Sequence, residues 1–108
     1  MAKTAKRLYG PALIDDSVGT IYTVPAATKT IIRHIHLQNP SGSAVTLTLS
    51  VGADAAGTRI FDAYSIPANS TYDWWTYLVM DATEVIQADT DTNNILTITI
   101  NGDEITLG

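Results

Sequence analysis

The sequence predicts an all-β fold: a single-domain antiparallel β-sandwich, jelly-roll-like, of about 8 strands. Two observations predict it. Apolar and polar residues alternate with period two in several windows, and no window of about eleven residues or more shows a helical stripe. Polar and small-residue breakers then cut the 108-residue chain at short, regular spacing. That is the punctuation of sandwiches and jelly rolls rather than of α/β proteins.

In order along the chain, residues 8–14 are expected as an edge strand, followed by TIYTV (20–24) and KTIIRHIHLQ (29–38). AVTLTLSV (44–51) places Val45, Leu47, Leu49 and Val51 on one face and Thr46, Thr48 and Ser50 on the other, as a half-buried strand requires. TRIFDAYS (58–65), TYDWWTYLV (71–79) and TEVIQA (83–88) follow. ILTITING (95–102) again alternates, with Leu96, Ile98 and Ile100 inward, and 104–107 is expected as a further edge strand. Between them lie the breakers Asn39–Gly42, Gly52–Gly57 and Asp89–Asn93. In 29–38 the pattern puts Ile31, Ile35 and Leu37 in the core and Ile32, His34, His36 and Gln38 on the opposite face. Arg33 then falls on the apolar side, which calls for an edge or a bulge.

Tyr22-Thr23-Val24-Pro25-Ala26 is echoed by Tyr64-Ser65-Ile66-Pro67-Ala68, and AVTLTL by ILTITI at a different offset. The order of corner, strand and alternating strand, twice over, suggests a sandwich of two similar halves.

Charge divides the chain. Lys3, Lys6 and Arg7 supply half of the six basic residues. From Leu8 onward, three positives face eleven carboxylates, a net −8. The expected organisation is a basic N-terminal arm (1–10) and a sandwich domain (11–108). The arm, through Lys3, Lys6, Arg7, Leu8 and Tyr9, is the candidate contact to an acidic partner. An acidic body disfavours nucleic acid and anionic membranes. No apolar run approaches the ~20 residues of a membrane helix, and no apolar stretch follows the basic start as in a secretory signal. With no cysteine, the fold rests on packing, without disulfides or thiolate chemistry.

His34-Ile35-His36 is the one catalytic-looking element. On a strand both imidazoles share a face, as a pair of zinc or iron ligands would. A working site needs a third ligand, and there is no third histidine; Glu84 or an aspartate would have to serve. The expectation is therefore a structural or interfacial pair, with no catalytic residue, no metal and no cofactor. Asp89, Asp91 and Asn93 have calcium-loop spacing, but Asn94 and Ile100 stand where the loop needs glycine and glutamate.

Aromatic residues carry more information. Tyr64, Tyr72, Trp74, Trp75 and Tyr77 fall within one short stretch. Alternation puts Tyr72, Trp74, Thr76 and Leu78 inward. Asp73, Trp75, Tyr77 and Val79 lie on the other face, so Trp75 and Tyr77 are expected to meet a partner.

The succession TIYTVPAATKTIIRHI, LQNPSGSAVTLTLSVG, SIPANSTY, EVIQA and ITINGDEI resembles small all-β virion structural proteins of tailed bacteriophages. The likeness runs from about Thr20 to Ile105 and does not include the histidine or tryptophan pairs. It implies a non-enzymatic virion structural protein, on the capsid or in the tail, and does not separate head from tail. The reading favoured here is a homotrimeric capsid decoration (cement) protein on the major capsid protein, assembled in the host cytoplasm. Alternatives are a tail or baseplate accessory or adhesion protein, a carbohydrate-binding sandwich using Trp75 and Tyr77, and a cupin-like metal enzyme using His34 and His36.

Overall fold

Four antiparallel pairings, nested one inside the next, organise the chain. The computed structural model describes residues 2–107; Met1 of the expected arm and Gly108 of the expected domain lie outside the described residues. The strands are β1 (Ala2–Leu13), β2 (Gly19–Thr23), β3 (Thr28–Asn39), β4 (Val45–Val51), β5 (Arg59–Ile66), β6 (Ser70–Met80), β7 (Val85–Thr90) and β8 (Thr97–Thr106). β1 pairs with β8, β2 with β7, β3 with β6 and β4 with β5. Folding such a ribbon over itself sends successive pairs to opposite sheets. The two sheets accordingly run β1-β8-β3-β6 and β2-β7-β4-β5, with β3–β8 and β4–β7 closing each one. This is an eight-stranded jelly roll.

The alternating strands put their apolar residues between the sheets, as expected. Leu47, Leu49, Ile98, Ile100 and Leu96 are fully buried, joined by Ile35, Leu37 and Ile86. Among the described residues no buried side-chain nitrogen or oxygen lacks a partner. Asn39 shows how this is achieved at a corner: its Nδ2 lies 2.9–3.1 Å from the carbonyl oxygens of Ser43, Ile66 and Pro67. One side chain thereby ties the β3–β4 turn to the β5–β6 turn.

The echoed Tyr-x-Val/Ile-Pro-Ala segments are one corner used twice. Each carries the chain from the second sheet to the first, out of β2 into β3 and out of β5 into β6. Each ends on a left-handed residue at the matching position, Ala27 (φ 53°) and Asn69 (φ 52°). The hydroxyl of the next residue then caps the turn, Thr28 onto the Ala26 carbonyl and Ser70 onto that of Pro67. The alternating strands do not extend the repeat: β4 follows the first long strand directly, whereas β7 intervenes before β8.

Four expectations are corrected. The boundary between residues 1–10 and 11–108 has no structural counterpart. β1 runs across it and pairs with β8 from Ala2↔Thr106 to Leu13↔Thr97, because backbone donors need partners whatever the side-chain charge. Leu8, expected at a partner contact, is buried in the core. In β3, Ile32 is core rather than outward. The ladders to β6 and β8 both slip between Ile32 and His34. This is the irregularity that Arg33 called for, and it reverses the inward phase. On β8 the slip falls at Gly102, where an added Cβ would collide with the Ile31 carbonyl oxygen. The two segments expected at 95–102 and 104–107 are one strand, β8.

Candidate functional site

The outer face of the β1-β8-β3-β6 sheet gathers most of the residues singled out from the sequence. The slip at Arg33 turns His34 and His36 to this face, and pairing with β6 sets His34 opposite Trp75 and His36 opposite Asp73. The result is a continuous polar network. Asn101 Nδ2 lies 3.2 Å from His34 Nδ1. His34 Nε2 is 2.8 Å and His36 Nδ1 2.6 Å from the same oxygen, Asp73 Oδ1. With Asn101 donating to Nδ1, His34 carries its proton on Nε2 and donates to Asp73. The hydrogen bonds from His36, and secondarily from His34, hold the Asp73 carboxyl below the usual carboxylate range.

Asp73 is therefore the third partner that the sequence left unnamed. The signal was present: it is the one charge on the aromatic face of TYDWWTYLV. What was missing was the register that sets it against His36. Asn101 had no sequence signal. Among the described residues His34, His36 and Asp73 are the one group of three with ligand atoms close together, all within 4.8 Å. Glu84 serves elsewhere, accepting from the Asp81 backbone N–H. The Asp89–Asn93 segment is half strand, since β7 extends to Thr90, and Asp91 caps the Thr46 backbone N–H.

Trp75 and Tyr77 stand beside this network. Trp75 is 72% and Tyr77 64% exposed, with Val79 next along the same face at 49%. The Trp75 ring stacks on His34 at 4.0 Å between centroids, 19° from parallel. The Arg33 guanidinium lies 5.4 Å over the Tyr77 ring and pairs with Asp103, Nε to Oδ2 2.5 Å. That pairing is the main reason the Asp103 carboxyl is held low. Trp74, as expected, turns the other way. It is half-buried against the core and meets Phe61 edge-on at 5.0 Å.

The basic residues of β1 are divided. Lys6 pairs with Glu104 at 2.9 Å, and Lys3 lies 3.7 Å from Asp103. Arg7 is exposed and makes no ion pair among the described residues. Tyr9 is half-buried against the core. Glu104 also accepts from the Tyr22 hydroxyl at 2.6 Å. Burial, then that hydrogen bond, raises the Tyr22 phenol to about 12.

The four sheet edges differ. β1 carries Lys3, Lys6, Arg7 and Pro11, and its ladder slips twice. β2 is five residues long. β5 carries Arg59 and Asp62, slips twice, and holds Ala63 at positive φ. All three devices discourage strand addition. β6 has eleven residues, no lysine, arginine, proline or glycine, one charge (Asp73, engaged by His34 and His36) and one slip.

No family model matches this sequence, and no curated protein matches it. Solved structures do share the fold. The chain is similar to a Bacillus protein described with endospore appendages that form a family of disulfide-linked pili. That match has a TM-score of 0.58 at 10% identity, covering 98% of this chain and 89% of that one. It is also similar to the Drosophila NLP core, described for pentamer formation and histone binding (TM-score 0.51, 13% identity, 98% and 100% covered). A cyanophage Pam1 capsid chain aligns at TM-score 0.48 and 14% identity, covering 97% of this chain and 84% of that one. Fold and face together define a jelly-roll protein with one long aromatic edge strand.

Proposed function

We propose that this chain is a non-enzymatic structural subunit of a bacteriophage virion that assembles through the β6 edge and its aromatic face. The long aromatic edge strand is the observation that carries the reading. Three edges are blunted and the fourth presents Trp75, Tyr77 and Val79, as a strand built to be covered does. The finer assignment is a capsid decoration protein, homotrimeric, bound to the major capsid protein, with a tail or baseplate position as the alternative. The sequence resemblance from Thr20 to Ile105 supports a virion role of either kind. Exposed Lys3 and Arg7 on β1 are proposed as further contacts to an acidic neighbour. The fold also serves in pili described as disulfide-linked; this sequence has no cysteine, so contacts between its copies would be non-covalent.

Sedimentation of the purified chain tests assembly, and co-sedimentation with phage heads lacking it tests the decoration role. A closed trimer that binds heads is expected. A two-fold dimer would indicate β6 pairing with β6 of a second copy and would displace the trimer. A chain that stays monomeric and binds neither heads nor tails refutes the proposal. Glycan titration addresses the sugar-binding alternative: saturation that is lost on Trp75→Ala would replace the structural reading.

A further inference from the structure

We propose that His34, His36 and Asp73 form a binding site for one divalent first-row transition ion, with zinc as the representative ligand. The donor set is two imidazoles and a carboxylate, the mixture that zinc and its neighbours take in three-ligand sites with an open position. The three ligand atoms already lie within 4.8 Å of one another. Tetrahedral ligands at bonds of ~2.0–2.1 Å are separated by roughly 3.3 Å. His34 Nε2 and His36 Nδ1 sit 2.8 and 2.6 Å from Asp73 Oδ1, so each imidazole must part from the carboxylate by about half an ångström, while the two imidazole nitrogens, within 4.8 Å of each other, settle to the same spacing. The His36 and Asp73 side chains, 38% and 43% exposed, have room to move.

His34 supplies the fixed corner. Its ring is held from one face by Trp75 and at Nδ1 by Asn101. When Nε2 is given to the ion, the ring proton resides on Nδ1. The Asn101 amide then presents its oxygen instead of its nitrogen, which is the supporting hydrogen bond that ligating histidines use. All three ligands stand on paired strands rather than loops, so little order must be created on binding. The remaining coordination position faces outward from an open sheet, where water or a donor from a neighbouring molecule completes the shell. Such a site has no enclosed, water-excluding pocket around it, which suits a structural ion better than a catalytic one.

Isothermal titration of the tag-free chain with zinc chloride, and visible absorption on adding cobalt(II), test the site. One zinc per chain, bound with a dissociation constant of about 10 μM or tighter, is expected. His36→Ala and Asp73→Asn should each weaken binding at least about 10-fold, with melting in chelator unchanged. If His36→Ala proves unstable, His36→Gln takes its place. Cobalt bound with the intense bands of four- or five-coordinate nitrogen ligation supports the site. The pale spectrum of hydrated cobalt refutes it, as does the absence of saturation below about 1 mM zinc. Full-strength binding in both variants refutes it too, since the ion then sits elsewhere. Self-assembly is read separately by sedimentation in chelator, so either proposal stands if the other fails.

Discussion

Replacing Trp75 with alanine separates a residue that holds the fold from one that holds a partner. Within the chain the ring's aromatic contact is the stack on His34. Losing an aromatic pair of this kind costs about 0.5–1.5 kcal/mol. In a domain of this size that lowers the melting temperature by roughly 4–8 °C per kcal/mol. The partner side is larger. A tryptophan buries about 150–250 Å² when fully covered, and 72% of the residue is exposed here. Covering it removes roughly 110–180 Å² from water, worth about 3–4.5 kcal/mol at ~25 cal/mol/Å² as an upper bound. Truncated anchors at interface centres cost about 2 kcal/mol or more, so the dissociation constant of the assembly should rise about 30-fold or more. Sedimentation velocity over a concentration series reads that constant. Circular dichroism melts, at a concentration where both forms are monomeric, read the fold. Trp74→Ala is the control: it opens a gap beside Phe61 and should cost roughly 3 kcal/mol of stability. An assembly constant within about threefold of wild type for Trp75→Ala would show that the aromatic face is not the contact. A melting loss as large as that of Trp74→Ala would show that the ring holds the fold.

Gly102→Ala should fold poorly or melt far below wild type, because its Cβ meets the Ile31 carbonyl oxygen at the slip between β3 and β8; an unchanged melt would mean that the ladders shift freely there. Deleting residues 1–7 removes the pairs from Ala2↔Thr106 to Arg7↔Asn101 and the Lys6–Glu104 bridge, so melting temperature should fall and β8 amides should exchange faster. Acid should weaken the fold through Asp103 and Glu104. Their carboxyls are held low, chiefly by Arg33 and by the Tyr22 hydroxyl, so their contribution is present above the unfolded carboxylate pKa of about 4 and is lost as pH falls through the folded values. Alkali should weaken the fold too, through Tyr22. Its phenol is raised to about 12, so its contribution is full below the unfolded value of about 10 and is lost as pH rises toward 12. Tyr22→Phe should flatten that alkaline loss in pH-dependent melts.

The strands were legible in the sequence because a half-buried strand writes its burial into alternate residues. β4 and β8 read directly, and so did the two faces of β6, with Trp74 against the core and Trp75 outside. Even the irregularity in β3 announced itself, since Arg33 broke an otherwise apolar phase. The consequence of that slip did not. Alternation runs forward from whichever residue is chosen first, so the pattern places Ile32 outward where a one-residue shift turns it into the core. β1 was hidden for a different reason. Its outer residues are lysine, threonine, alanine and arginine, and an edge strand with solvent on one side and a slipping ladder needs no periodic apolar signal to be paired. The site lay further from view because it depends on which strands are neighbours. The jelly-roll ribbon brings β6 beside β3 across more than thirty residues of chain, and only that pairing sets Asp73 against His36. The character of the edges is likewise a property of sheet order. STYDWWTYLVM reads as a sticky strand wherever it lies; in the middle of a sheet its backbone would be satisfied on both sides. At the end of β1-β8-β3-β6 it keeps one row of donors and acceptors open beside Trp75 and Tyr77, and that placement turns an ordinary aromatic strand into the most exposed liability of the fold unless a second molecule covers it.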